Sequence, residues 1–229
     1  YYEEAFKLYC PKAKIILGSK LYHNNNEYWK DVIKFSKHIT LQRNMRCLTI
    51  MGRSEKEKLD FGQLLYPPMQ GVDIKYLGQN LPHGGMDQRK IHALAREVFP
   101  RLKWKKPIAL HHHLLAGLSE PPKIESQNKL EKVIATKMSK SKPWTAVFIH
   151  DTEMEIKEKL GKAWCPPKEV EFNPVVEIVK YIIFREMKKL ILERPQRYGG
   201  TQEFNSYNEL EQEFAKGKIH PQDLKNSVG

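Results

Sequence analysis

The chain has 229 residues and 26.9 kDa, enough for one large domain or a medium domain with a small appendix, and it can bury a substantial core. Its formal charge of +12 is unevenly spread: residues 1 to 150 carry 26 basic and 13 acidic side chains, residues 151 to 229 carry 13 and 14, so the first part offers a polyanion such as RNA a basic surface, or simply a lysine-rich solvated face. No run of about 18 uncharged apolar residues occurs, which predicts no membrane span and no secretory leader, and Cys10, Cys47 and Cys165 are far apart with no CxxC pairing, which argues against a disulfide framework or zinc site and suits a reducing cytoplasm.

In chain order, Tyr1 to Leu8 reads as the middle of an amphipathic helix, and Leu224 to Gly229 stops inside another helical pattern, so the sequence predicts a piece of a longer protein. Ala13 to Gly18 is a short apolar run closed by Gly, predicting a buried parallel strand. Glu27 to Met51 has helical periodicity through Trp29, Val32, Ile33, Phe35, Ile39 and Leu48. Leu59 to Leu77 is a second helical stretch, which Pro67-Pro68 must kink or restart because two amide donors are missing. Gln79 to His83 predicts a brief strand into the Gly84-Gly85 turn, and Met86 to Val98 a helix. Pro107 to Leu115 and Ala146 to His150 read as further strands, and the polar segment Ser119 to Thr136 as an insertion or loop without a core face. After Asp151 the strand signals vanish, and Glu153 to Lys162, Pro174 to Phe184, Tyr207 to Lys216 and Pro221 to Val228 read as helices. The expected architecture is an α/β domain over residues 1–150, with a parallel sheet, followed by a small all-helical domain over 151–229.

Three groups of residues carry chemistry. Tyr66, Gln70 and Asp73 stand at i, i+4 and i+7, placing a phenol, an amide and a carboxylate on one helix face, either as a hydrogen-bonded cluster or as a polar binding surface. Gly84-Gly85 before Met86-Asp87-Gln88 lets backbone and ligand approach closely, although a Gly-Gly step can also be a plain turn. Lys137-Met138-Ser139-Lys140-Ser141-Lys142-Pro143 puts mobile ammonium groups on a short polar loop, where they can hold phosphates or face solvent. His111-His112-His113 invites a metal reading, but consecutive strand residues alternate faces and cannot converge on one ion, so no metal site is expected.

The last two motifs, Gly84 to His92 and Lys137 to Pro143, together resemble the active-site half of a class I aminoacyl-tRNA synthetase, specifically the tyrosyl-tRNA synthetases of the archaeal and eukaryotic type. The resemblance implies a Rossmann-like catalytic domain and a helical anticodon-binding domain. It covers nearly the whole chain but lacks the family's amino-terminal portion with its HIGH-type ATP signature. A fragment of a longer enzyme would keep the roles below, whereas a complete chain of this kind would be catalytically dead. By resemblance, Tyr66, Gln70 and Gln88 contact the tyrosine substrate and Asp73 accepts from its phenolic hydroxyl. Gly85, Asp87, Met138, Ser139, Lys140 and Ser141 bind ATP, which arrives with Mg²⁺, and Lys137 and Lys140 stabilise the leaving pyrophosphate. Arg194 to Gly200 and His220 to Asn226 resemble anticodon-reading elements, with Tyr198 and His220 stacking on a base of tRNA(Tyr) and Asp223 selecting it. On residue type alone these would be a Gly turn and a helix cap. The resemblance further implies a cytoplasmic homodimer. The alternative function is a non-catalytic tRNA-binding paralogue; a tryptophan enzyme is disfavoured by Asp73 and by the run Arg89-Lys90-Ile91-His92.

Overall fold

The computed structural model describes residues 2–48, 60–122 and 129–229. Expectations for 49–59 and 123–128, including the end of the first long helical stretch and the middle of the polar loop, lie outside the described residues. The chain divides into two compact units, one formed by Tyr1–Gly84 with Gln88–His111, the other by Gly85–Asp87 with His112–Gly229.

In the first unit, α1 (Tyr2–Tyr9) and α2 (Gly18–Tyr22) lead to α3 (Asn26–Ser36), α4 (Leu41–Cys47), α5 (Tyr66–Tyr76) and α6 (Arg89–Val98). Asn25 caps α3 by accepting from Tyr28 N, and Thr40 caps α4 by accepting from Arg43 N, each contributing about 1 kcal/mol. The stripe of α3 that packs inward is Tyr28, Val32 and Phe35; Trp29 and Ile33, read as part of the apolar face, are 39% and 64% exposed. At Gly71 on α5 an added Cβ would lie 2.6 Å from the Phe35 ring, so the absence of a side chain lets α3 and α5 close on one another. Pro67 and Pro68 occupy the first turn of α5, where no intrahelical donors are required, so they start the helix after a 3₁₀ turn at Phe61–Leu65. The buried face of α6, through Ile91, Leu94, Ala95 and Val98, completes this core.

β1 (His83–Gly85) pairs with β2 (Leu110–His112). Ile108 N donates to Asn80 O (2.8 Å) and Leu110 N to Pro82 O (3.0 Å), so donor and acceptor advance together and the chains run parallel. The expected strand over Ala13 to Gly18 is instead irregular chain that enters α2 at Gly18, with no ladder partner among the described residues; Ile16 and Leu17 are 46% and 42% exposed. Ala146 to His150 is likewise not a strand, because the Asp151 side chain accepts from Phe148 N and folds the segment into a turn.

The second unit contains α7 (Lys129–Thr136), α8 (Glu153–Lys162), α9 (Pro174–Ile178), α10 (Phe184–Glu186), α11 (Tyr207–Ala215) and α12 (Pro221–Val228), with a core built from Leu160, Val175, Val179, Leu210, Phe214 and Leu224. Lys129 to Thr136 is thus a helix where a loop was expected. Thr152 and Glu155 form a reciprocal capping box on α8, and Asn173 caps α9 by accepting from Val175 N and Val176 N. A π turn, Val179–Ile183, separates α9 from α10. The all-helical expectation for the last part needs correction, since β3 (Leu190–Leu192) and β4 (Gln202–Phe204) form an antiparallel pair with Leu190 opposite Phe204 and Leu192 opposite Gln202. Among the described residues no helix is long and apolar enough to cross a membrane.

Candidate functional site

In the first unit, the carboxylate of Asp73 on α5 accepts from two phenols: Tyr28 OH at 2.7 Å on Oδ1 and Tyr22 OH at 3.1 Å on Oδ2. The Tyr22 and Tyr28 rings lie 4.8 Å apart, and Tyr28 is fully buried. Burial raises the Asp73 carboxyl above its usual range, while the hydrogen bonds from Tyr28 and Tyr22 oppose the rise. Burial and the neighbouring Asp73 in turn push the Tyr28 hydroxyl far above an ordinary phenol. Asp73 thus sits in a hydrogen-bonded cluster whose other members, Tyr22 and Tyr28, the sequence reading missed; Gln70 bonds to Gln88 instead, and Tyr66 is half-exposed. Tyr28 was findable, because it stands four and seven residues before Val32 and Phe35, and a tyrosine on a buried stripe needs an acceptor for its hydroxyl.

One turn before Asp73, Gln70 Nε2 donates to Gln88 Oε1 at 2.9 Å. Gln70 Oε1 is buried, and among the described residues nothing donates to it. Tyr66, at the start of α5, is 51% exposed. Gly84 leaves room for Gln88, since a Cβ there would come within 3.0 Å of its side chain. Behind it on α6, His92 is 4% exposed and its Nδ1 lies 3.0 Å from His111 Nε2. Burial, with His111 and His83 beside it, lowers His92 to about 4 and keeps it neutral. Next to this cluster, and sharing His111 with it, Arg89, Arg96, Lys106 and Glu97 line a recess of about 530 Å³.

In the second unit, Asp87 is 7% exposed and its Oδ2 lies 2.7 Å from Lys137 Nζ, joining two motifs fifty residues apart in the sequence. Gly85 is required for this: a Cβ there would lie 2.5 Å from Leu114 and 2.7 Å from Asp87 Oδ1. Met138 N donates to Leu115 O at 2.8 Å, and the Met138 side chain packs against the core. The loop then turns on its serines, with Ser139 Oγ 2.8 Å from Ser141 Oγ and Lys142 N donating to Ser139 O at 3.0 Å. Lys140 is exposed on that turn. Of the two predicted phosphate lysines, Lys137 is thus the one paired with Asp87.

His111 meets His92 in the first unit, and His113, just past the end of β2, stacks on Tyr181 in the second, with centroids 4.0 Å apart. Among the described residues no group of His, Cys, Asp or Glu side chains is arranged to hold a metal ion.

Further along the second unit, the 3₁₀ turn Gln196–Tyr198 ends at Gly199 and Gly200, both with left-handed backbone at φ 101° and 68°. Tyr198 is 60% exposed, with the Arg197 guanidinium over its ring at 4.8 Å. Arg194 ties this loop to the approach of α12, donating through Nε to Gly200 O (3.1 Å) and through Nη1 to Lys218 O (3.0 Å). His220 caps α12, its Nδ1 accepting from Gln222 N at 3.1 Å, and Asp223 lies in the first turn.

With this geometry established, the family model that matches residues 5–229 is decisive; it is described as tRNA synthetases class I (W and Y). The chain belongs to the class I tRNA synthetases of the tryptophan and tyrosine group. Within that family it is 49% identical over 230 residues to a tyrosine–tRNA ligase of Thermococcus sibiricus, covering 95% of this chain and 61% of the relative. A tyrosine–tRNA ligase of Pyrococcus furiosus is 48% identical with the same coverage. Among solved structures, a tyrosyl-tRNA synthetase of Pyrococcus horikoshii complexed with L-tyrosine superposes with a TM-score of 0.86 at 48% identity, over 95% of this chain and 62% of that one. The corresponding Archaeoglobus fulgidus structure, also with L-tyrosine, gives 0.79 at 37% identity, over 99% and 67%. The chain therefore spans about three fifths of the length of these first relatives and has the class I synthetase fold expected from its motifs.

Proposed function

We propose that this chain forms the tyrosine-activating and RNA-reading portion of a tyrosine–tRNA ligase, with residues 1–150 as the catalytic part and 151–229 as the anticodon-binding part. The observation that carries the reading is the 2.7 Å pairing of Asp87 with Lys137, which brings the Gly84-Gly85 motif and the lysine loop to one place. ATP, entering with Mg²⁺ as substrate, would offer its ribose hydroxyls to Asp87, freeing the Lys137 ammonium for the phosphates. Gly85 and the backbone and side chains of Met138, Ser139, Lys140 and Ser141 complete the nucleotide contacts.

The tyrosine carboxylate oxygen attacks the α-phosphorus, the bond to the bridging oxygen breaks, and pyrophosphate leaves with the electron pair. Lys137 and Lys140 stabilise the charge that grows on it. The terminal ribose hydroxyl of tRNA(Tyr) then attacks the carbonyl, and AMP departs. Gln70 Oε1, buried and with no donor among the described residues, suits the substrate ammonium, with Gln88 bonded to the same side chain and Tyr66 one turn earlier on α5. Asp73 accepts from the substrate phenol; phenylalanine would leave that acceptor without its partner. Tyr198 and His220 stack on an anticodon base and Asp223 accepts from its edge, while the recess lined by Arg89, Arg96 and Lys106 favours RNA phosphates. The working enzyme is a cytoplasmic homodimer on this reading. Tyrosine-dependent exchange of labelled pyrophosphate into ATP by the full protein tests it. Absence of exchange refutes it, and a tryptophan-dependent signal would reassign the substrate.

A further inference from the structure

Lys137 does not sit on a free loop. It forms an antiparallel bridge with Ala116, flanked by Met138 N donating to Leu115 O and Gly117 N donating to Thr136 O, both 2.8 Å. In that pattern the N–H and C=O of Ala116 point away from Lys137, toward the side where a third strand would normally lie. Among the described residues no third strand supplies the acceptor. Glu177 does, its Oε2 accepting from Ala116 N at 2.9 Å, with Ala116 4% exposed and the Glu177 side chain 13%. The same carboxylate oxygen lies 3.2 Å from His113 Nε2, and the His113 ring stacks on Tyr181, one turn beyond Glu177, at a centroid distance of 4.0 Å. Tyr181 falls in the π turn that follows α9, a widened turn of the kind found at functional positions. The next residues tighten the same stretch from other directions: Leu118 N donates to Thr145 O (2.8 Å), and Trp164 N to Leu118 O (2.7 Å).

We infer that Glu177 is a positioning residue for the nucleotide site, pinning the backbone of Ala116 and through it the base of Lys137, so that the ammonium is presented to the ATP phosphates from a fixed root. This rests on the tyrosine-ligase reading for its catalytic consequence, but not for its structural one. Glu177 touches no substrate; it acts by completing a ladder whose other edge carries the lysine. A carboxylate suits the task because it reaches from a helix across to a strand and its charge strengthens the bond to a backbone amide.

Three variants of the full protein separate reach from charge. Glu177→Gln keeps the length and an acceptor, Glu177→Asp keeps the charge but falls short of Ala116, and Glu177→Ala loses both. Backbone hydrogen exchange of peptides covering 115–118 and 136–138 should accelerate about tenfold in the Asp and Ala variants and stay within about threefold of the parent in the Gln variant. In pyrophosphate exchange, kcat should fall about tenfold for Asp and Ala, with KM for tyrosine unchanged and with recovery in Gln. Unchanged protection in the Asp variant, or the Gln variant behaving like Ala, overturns the inference. So does a full kcat with a loosened ladder, or a loss that follows only the fraction of folded protein. If the parent itself shows no exchange, the enzyme reading fails, and the protection pattern still decides whether Glu177 fixes the root of Lys137.

Discussion

Asp73 and Asp87 are both largely withdrawn from water, yet the two units satisfy them in opposite ways. Asp73 is met by two phenolic hydroxyls whose rings are locked into an aromatic cluster, Tyr28 lying 5.4 Å from Trp29 and 5.2 Å from Tyr76 between centroids. Asp87 is met by one ammonium on a flexible stem. Neutral donors held by packing cannot leave without disturbing the core, so on the proposed function that carboxylate reads the substrate phenol with its own donors kept in place. An ammonium can turn away at the cost of a few rotamers, so on the proposed function the second carboxylate can exchange partners when a nucleotide arrives. On that reading binding and folding are entangled in the first unit and separable in the second.

The sharpest way to break this contrast is Lys137→Ala. It should lower kcat for tyrosine-dependent pyrophosphate exchange by about a hundredfold or more, the loss expected on removing one preorganised transition-state contact. The melting temperature should barely change, because the partner Asp87 can recruit water once the stem is gone. A large drop in stability with a small drop in kcat would show that the pair is a structural tie like the Asp73 cluster.

Acid should separate the units next. The buried His92 titrates at about 4 in the fold, against 6.5 for an exposed imidazole, so the unfolded chain takes up a proton that the native state refuses. Its contribution is complete above about pH 6.5 and is withdrawn as pH falls toward 4, by up to about 3 kcal/mol. In the second unit, burial of Asp151 is outweighed by its hydrogen bonds from Lys159 (2.6 Å) and Phe148 N, which hold the carboxyl below its ordinary 3.8. That contribution persists down to the ordinary value and is lost only below it. Hydrogen exchange followed between pH 7 and 4.5 should therefore show the first unit opening while the second stays protected, and His92→Gln should flatten the slope. Equal loss in both units would remove the distinction.

Within the aromatic cluster, Tyr28→Phe should cost about 2 kcal/mol in denaturant unfolding, since it deletes a short bond from a fully buried phenol to a partly buried carboxylate. Tyr22→Phe, whose bond is 3.1 Å and whose ring is only half-buried, should cost about 1 kcal/mol. On the proposed function both should also weaken tyrosine binding, because the carboxylate that accepts from the substrate phenol then loses a bond that fixes its orientation. If either variant loses substrate affinity with no loss of stability, folding and reading are less entangled in the first unit than the packing implies.

These contrasts also explain what was legible in the chain. Helices with side-chain caps, such as Asn25 on α3 or the Thr152 and Glu155 box on α8, announce themselves locally, and so did the motifs that meet at Asp87 and Lys137. Strand assignments fared worse, because pairing is a long-range event. Ala13 to Gly18 has a strand's composition but meets no ladder, whereas Leu190-Ile191-Leu192 is too short to show alternation and becomes a strand only through Gln202–Phe204. Ala146 to His150 lost to a nearer competitor, the Asp151 side chain. The acceptors that sequence could not assign, Asp73 for Tyr28 and Glu177 for Ala116, lie 45 and 61 residues from their donors.

The smallest expected effect tests the separable side of the comparison at His220. As the cap of α12, its Nδ1 accepts from Gln222 N, and its ring is exposed beside the loop that Arg194 ties down. His220→Ala removes cap and ring together and should cost about 1 kcal/mol of stability. His220→Asn restores a good capping oxygen without the aromatic face, so the stability should return to within about 0.5 kcal/mol of the parent. If the imidazole stacks on a base, that same Asn variant should still bind tRNA(Tyr) roughly tenfold more weakly, an effect read by filter binding at fixed salt. Recovery of both properties in the Asn variant would make His220 a helix cap and nothing more. Loss of RNA binding alone would place the ring's role on the surface, apart from the packing, in the arrangement that distinguishes this unit from the aromatic cluster around Asp73.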